Sequence, residues 1–248
     1  MPTYVPLSLT ETYCPSWGTW EGVRELVQNA HDGALEGGGH SWRRTPDGSF
    51  ACHADSGKIC ATIAHANDRL VLVNHAVGLT RKALLLGASQ KADSTLAIGQ
   101  FGEGMKVGAL ALLREGRQVE MATRGELWRW CRREDAAFGV RVLTVEVSER
   151  ADAAGILLLD GDADADDPAK AAAPPADAAE DDTVVVVGPI STAEWATYAT
   201  RFLFLTPATD AFRSVELGEL LLDESLRGQL CEPHAAAQTL TFQPACAC

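Results

Sequence analysis

The chain first offers chemistry on one stretch, residues 20–35 (WEGVRELVQNAHDGAL), which reads as a helix. At about 100° of turn per residue, Glu25, Asn29 and Asp32 share one side, opposite Trp20, Val23, Val27, Ala30 and Ala34. A carboxylate and an amide one turn apart are residue types that can take a proton from a water and offer oxygen to a cation. The same three residues are equally readable as the solvated side of an amphipathic helix.

A second stretch, residues 98–108 (IGQFGEGMKVG), is a glycine-rich turn leading into an apolar helix that continues as ALALL. Such a turn brings backbone N–H groups at a helix N-terminus within reach of an anion. It is neither a Walker A loop, since no GK[ST] follows, nor the dinucleotide G-x-G-x-x-G, whose spacing and preceding strand are missing. The plain alternative is a glycine-rich surface turn. Between the two stretches, NHAVGLT (residues 74–80) closes an apolar strand pattern, LVLV.

The elements that must position these residues follow from the pattern of the chain. Residues 1–16 read as an arm or short strand, and Thr19 or Ser16 is placed to cap the first helix. EGGGHSWRRTPDGS reads as a loop, and FACHADSGKICATIAHANDRLVLVN as two or three alternating strands. Thr80 is placed to cap a short helix, TRKALLLGA, and residues 89–97 are polar and lid-like. Residues 105–113 form the next helix, followed by three strands: QVEMATRG, ELWRWCRR and VRVLTVEVS. After an acidic segment, TVVVVG is a buried strand. STAEWATYATRFLFL is a helix with Ser191 or Thr192 at its start, and residues 214–230 alternate as a hairpin. The expected class is α/β, a two-layer sandwich with a mostly antiparallel sheet and helices on one face.

With 248 residues and a hydrophobic fraction of 46%, the chain can bury a full core. No apolar run approaches a membrane span, and MPTYVPLSLTETYC lacks the features of a signal peptide, so an intracellular location, cytoplasmic or nuclear, is expected. Seven cysteines without a repeated framework spacing fit free thiols in a reducing compartment. The formal charge of −13 is uneven: residues 160–182 hold nine acidic residues and one lysine, contributing −8 and leaving −5 elsewhere. That segment, rich in alanine and proline, reads as a disordered insertion. No basic stripe with interleaved aromatics is present, so the footprint of direct nucleic-acid binding is missing. Cys231, His234, Cys246 and Cys248 form a weak zinc set, since C-x-C is shorter than the usual paired spacing; reduced thiols in a frayed end are the alternative.

Taken in order, the three glycine- and polar-bearing pieces resemble the GHKL ATPase superfamily. Its members include gyrase B, the ninety-kilodalton heat-shock chaperones, sensor histidine kinases and MutL. ELVQNAHDG is similar to its N box, NHAVGL to its D-x-G-x-G box and IGQFGEGMK to its glycine box at the end of the ATP lid. Residues 87–108 are especially similar to MORC proteins and to the chaperones. The resemblance implies a Bergerat ATP-binding fold over residues 1–205, with residues 206–248 a C-terminal extension; the loss of pattern after Leu230 reads as the start of a following domain cut short.

What the resemblance implies for the site can be stated by residue. Glu25 matches the general base, and Asn29 the ligand of Mg²⁺, a neutral oxygen sufficing because the phosphates carry the charge balance. Asp32 matches a polar wall of the pocket, or else is a helix-surface carboxylate. Gly99, Gly102 and Gly104 let the backbone close on phosphates, and Gln100 touches the γ-phosphate or shapes the turn. Lys106 pairs with a phosphate or is an exposed lysine without a partner. Gly87, Ser89 and Lys91 belong to the lid, and Thr183 lies near the adenine pocket. The adenine box departs from the family: Asn74 stands where the family has aspartate, and Ala76 where it has its first glycine, while Gly78 is kept. Asn74 still accepts through its amide oxygen, but loss of charge assistance costs on the order of 1 kcal/mol. His75 reads as a loop histidine rather than a ligand. The implied activity is slow, Mg²⁺-dependent ATP hydrolysis driving lid closure, with ATP and an unidentified protein client as partners and ATP-dependent homodimerisation left open. The alternative is a non-hydrolysing nucleotide-binding switch or interaction module.

Overall fold

The computed structural model describes residues 2–85, 103–137, 139–149 and 181–205, together with four short strands between 212 and 241. Its centre is an antiparallel sheet of nine strands, against which three α-helices are arranged. In chain order the strands are β1 (Thr3–Thr10), β2 (Gly39–Arg44), β3 (Phe50–Ala54), β4 (Ile59–Ala66), β5 (Arg69–Asn74), β6 (Gln118–Thr123), β7 (Glu126–Asp135), β8 (Val140–Glu149) and β9 (Thr183–Gly188). Across the sheet they lie as β1-β8-β7-β6-β9-β5-β4-β3-β2. The fold is therefore α/β with a large antiparallel sheet.

The last strand in sequence sits in the middle. β9 pairs with β5 on one side and β6 on the other, bringing Asn74, Thr183 and Thr123 into one row at one end of the sheet. All six residues of β9 are buried, which explains why TVVVVG shows no polar alternation. Val185 and Val187 join the cluster that also holds residues of all three helices. Val184 and Val186 join a smaller cluster with Val71, Val73, Ala122 and Leu127.

Two of the connections between neighbouring strands are two-residue turns whose residues both adopt positive φ. Asn67 and Asp68 (φ 51° and 54°) turn β4 into β5, and Arg124 and Gly125 (φ 46° and 73°) turn β6 into β7.

The first helix, α1 (Thr19–Glu36), buries Val23, Val27, Ala30 and Ala34 of the face its periodicity predicts; Trp20 is partly buried, and Leu26, outside that stripe, is buried as well. Neither Thr19 nor Ser16 caps it: Gly18 occupies the cap and donates its N–H to Glu21 Oε2 at 2.9 Å. α2 (Gly104–Arg114) and α3 (Thr192–Ala199) follow. Ser191 caps α3, its hydroxyl accepting from Glu194 N at 3.2 Å, but the helix stops at Ala199 and Leu203–Leu205 form only a 3-10 turn.

Four further expectations need correction. The segment expected to be a loop contains β2, an edge strand whose arginines face outward while Trp42 is buried; charged edges of this kind mask the strand pattern. The helix after Thr80 is a single 3-10 turn, Arg81–Leu84, without a side-chain cap. Asp182, counted with the disordered insertion, is buried and hydrogen-bonded; residues 160–180 lie outside the described residues. In place of one hairpin over 214–230, two short ladders form: β10 (Phe212–Ser214) with β11 (Gly218–Leu220), and β12 (Gln229–Cys231) with β13 (Thr239–Thr241). His234, Cys246 and Cys248 lie outside the described residues.

Candidate functional site

Two helices meet where side chains are smallest. α1 and α2 cross at Gly22 and Gly108: a Cβ on Gly22 would stand 2.8 Å from Gly108 O, and one on Gly108 would stand 3.2 Å from Gly22 O. This notch lets the backbones approach more closely than any larger pair would permit. Its consequence reaches Glu25, one turn further along α1. The Glu25 side chain lies against Gly104, the first residue of α2, so closely that a Cβ at that position would overlap the carboxylate. The residue at the α2 cap, Glu103, makes no side-chain hydrogen bond to the first turn. A carboxylate and a helix N-terminus thus share one place, the pairing that water activation beside an anion requires.

Glu25 is nearly buried, its side chain 12% exposed, and its Oε1 accepts from Arg24 Nη2 at 2.8 Å. Asn29 donates through Nδ2 to the Glu25 carbonyl at 2.8 Å, which leaves Oδ1 as the end able to bind a cation. Asp32 is 1% exposed, so it is not the surface carboxylate that one reading allowed. Lys106 is wholly buried in the first turn of α2, which overturns the exposed-lysine reading. Burial pulls its ammonium below the usual lysine range, with Glu103 opposing the shift.

The Asn74 box meets α1 from the other side. Asn74 Nδ2 donates to Ala30 O at 2.7 Å, and its amide lies so near Gly33 that a Cβ there would stand 2.8 Å from Nδ2. The amide oxygen remains as acceptor. Ala76 has φ 58°, in the left-handed region that costs an L-residue about 1–2 kcal/mol and that glycine adopts freely.

Hydrogen bonds hold the turn that follows. Ala76 N donates to Asp182 Oδ1 at 2.8 Å, and His75 Nδ1 donates to Asp182 Oδ2 at 3.0 Å, since an ionised carboxylate only accepts. His75, in the turn that follows β5, is thus the partner of a buried carboxylate. Thr183 donates its hydroxyl to Val77 O at 2.5 Å and accepts from Thr123 Oγ1 at 2.9 Å, while Thr123 accepts from Leu79 N at 2.8 Å. Thr183 accordingly braces the turn. Arg124, at the β6–β7 corner, donates through Nε to Gly78 O at 3.0 Å.

Sequence reasoning missed Asp182, Thr123 and Arg124. The signal for Asp182 was its place directly before TVVVVG, hidden by the acidic run that precedes it. Thr123 and Arg124 carried no signal apart from the hairpin corner. Gly99, Gln100 and Gly102, and with them Gly87, Ser89 and Lys91, lie outside the described residues. Among the described residues a cavity of about 470 Å³ is lined by residues between Thr10 and Trp17, away from Glu25 and Asn74. No group of three or more His, Cys, Asp or Glu among them could hold a metal ion. No helix among the described residues is long and apolar enough to cross a membrane. Compared with known proteins, the chain matches no family model and no curated protein.

Proposed function

We propose that this chain is a GHKL-type domain with the Bergerat two-layer fold, which binds ATP with Mg²⁺ and hydrolyses it slowly. The observation that carries this reading is the approach of the Glu25 carboxylate to Gly104 at the start of α2, in a chain whose Asn74 box contacts the same helix at Ala30 and Gly33. Three segments far apart in sequence, each with the residue type its role needs, converge on α1.

In this mechanism the phosphates lie at the α2 N-terminus, whose backbone N–H groups offset their charge. Lys106, buried in the same turn, adds a positive charge near that N-terminus. Glu25 takes the proton of a water that attacks the γ-phosphorus as the bond to the ADP oxygen breaks. Asn29 would hold Mg²⁺ through Oδ1 together with phosphate oxygens. The cation, when bound, neutralises charge on the transferred group. The base lies toward Asn74, whose amide oxygen accepts from an exocyclic amine.

Calorimetric titration with ATP, ADP and GTP, with and without Mg²⁺, tests the phosphate site and the altered base contact together. ATP and ADP are expected to bind with Mg²⁺ dependence, and GTP more weakly. Absence of binding by all three refutes the reading. A turnover near about 10 s⁻¹, the median for enzymes, would contradict slow hydrolysis.

One observation favours the second reading, a nucleotide-binding switch without hydrolysis. Arg24 engages Glu25 at 2.8 Å, so one oxygen of the carboxylate that would receive a water's proton is already held in an ion pair. Phosphate release by Arg24→Ala separates the two: faster release supports a masked base, and an unchanged background rate supports the switch.

A further inference from the structure

We propose that Asp182 is a positioning residue for the nucleobase pocket, a buried carboxylate that holds the turn after Asn74 in the backbone conformation that Ala76 resists. The proposal rests on the nucleotide-binding reading above and extends it to a residue outside every motif. Asp182 is 3% exposed and comes from the strand end opposite Asn74, since it precedes Thr183, the register partner of Asn74. Its two oxygens take separate donors on consecutive residues, His75 Nδ1 and Ala76 N. A charged acceptor bound to both makes the turn much harder to relax than either neutral contact would.

The need for such a holder is visible in the backbone. Ala76 sits at φ 58°, where an alanine opposes the conformation and a glycine would not. His75 is held at both ends, its N–H donating to Cys60 O at 2.9 Å and its ring to Asp182. Val77, Gly78 and Leu79 are secured by Thr183, Arg124 and Thr123. Asp182 thus supplies the remaining hold at the one strained residue. Without it the turn relaxes, and the Asn74 amide at its base loses its fixed surroundings.

A merely structural carboxylate at the start of β9 makes a different prediction, because its loss would not be relieved at position 76. MgADP is the probe, measured by calorimetry, with steady-state ATP hydrolysis alongside. Asp182→Ala is expected to weaken MgADP binding and raise the ATP KM by about tenfold, the scale of hydrogen bonds to a buried charge, with kcat within about twofold. Adding Ala76→Gly to Asp182→Ala is expected to restore affinity to within about threefold, because glycine adopts the turn unaided. A folded Asp182→Ala chain with wild-type affinity overturns the proposal, as does failure of the glycine to restore it. Should Asp182→Ala not fold, Asp182→Asn carries the same comparison, with an expected loss of about threefold because one neutral acceptor survives. Hydrogen exchange at the Ala76 amide, read without nucleotide, separates the two levels of the argument. Faster exchange in the Asp182 variant is expected. Unchanged exchange in a wild-type chain that binds ADP refutes the positioning role alone, whereas a wild-type chain that binds neither ATP nor ADP overturns the nucleotide reading, and this proposal with it.

Discussion

The two ends of the candidate site are built by different physics. At the α1–α2 crossing the geometry comes from missing side chains: Gly22, Gly104 and Gly108 let two helices and one carboxylate occupy space that any Cβ would claim. At the Asn74 turn it comes from polar contacts, with Asp182, Thr183, Thr123 and Arg124 each holding a different backbone group. Where backbone meets backbone, at Gly22 and Gly108, almost no substitution is tolerated, because close-packed backbone cannot yield. The second end tolerates replacement of a single residue, provided that neighbouring donors and acceptors take up the load.

Substitutions can break or sharpen this comparison. The largest effect tests the proposed role of Glu25: Glu25→Ala should lower phosphate release by about 10²–10⁴-fold while leaving MgADP affinity nearly unchanged. Equal rates in variant and wild type would leave only the non-hydrolysing reading. Next, Gly104→Ala places a methyl on the Glu25 carboxylate, a flexible group that can swing aside. Turnover should fall by roughly 10²-fold, since small misplacements of reacting groups carry losses of that order, with little change in urea midpoint.

Gly22→Ala is the corresponding test of the crossing. Its methyl meets Gly108 O and the Leu112 side chain, of which the backbone oxygen cannot move, so urea unfolding should show a loss of about 1–3 kcal/mol. If stability is unchanged, the helices are not held by their glycines. The smallest effect belongs to the strand end. Ala76→Gly alone should raise stability by less than about 1 kcal/mol, because relief of the left-handed strain is partly offset by a more flexible unfolded chain. A destabilised variant would show that Ala76 is not strained.

Much of this arrangement was legible in the chain before any fold was known. The 3.6-residue spacing of Val23, Val27, Ala30 and Ala34 marks the buried stripe of α1, and the unbroken TVVVVG marks a strand covered on both sides. β2 was hidden because its outward arginines and glycine-rich start imitate a loop. α3 was overextended because aromatic residues after Ala199 continue an apolar pattern that the backbone does not follow. Phe202 and Phe204 instead pack with Trp20, His31 and Trp42.

By itself the sequence determined what local periodicity and residue type can encode: the helices that bear Glu25 and Lys106, the valine strand and the order of the three boxes. Only the tertiary structure decided which residues became partners. Asp182 left its acidic run to receive His75 and Ala76, and Glu25 settled against Gly104, because strand order and helix crossing are fixed by contacts between residues distant in the chain, which no local pattern records.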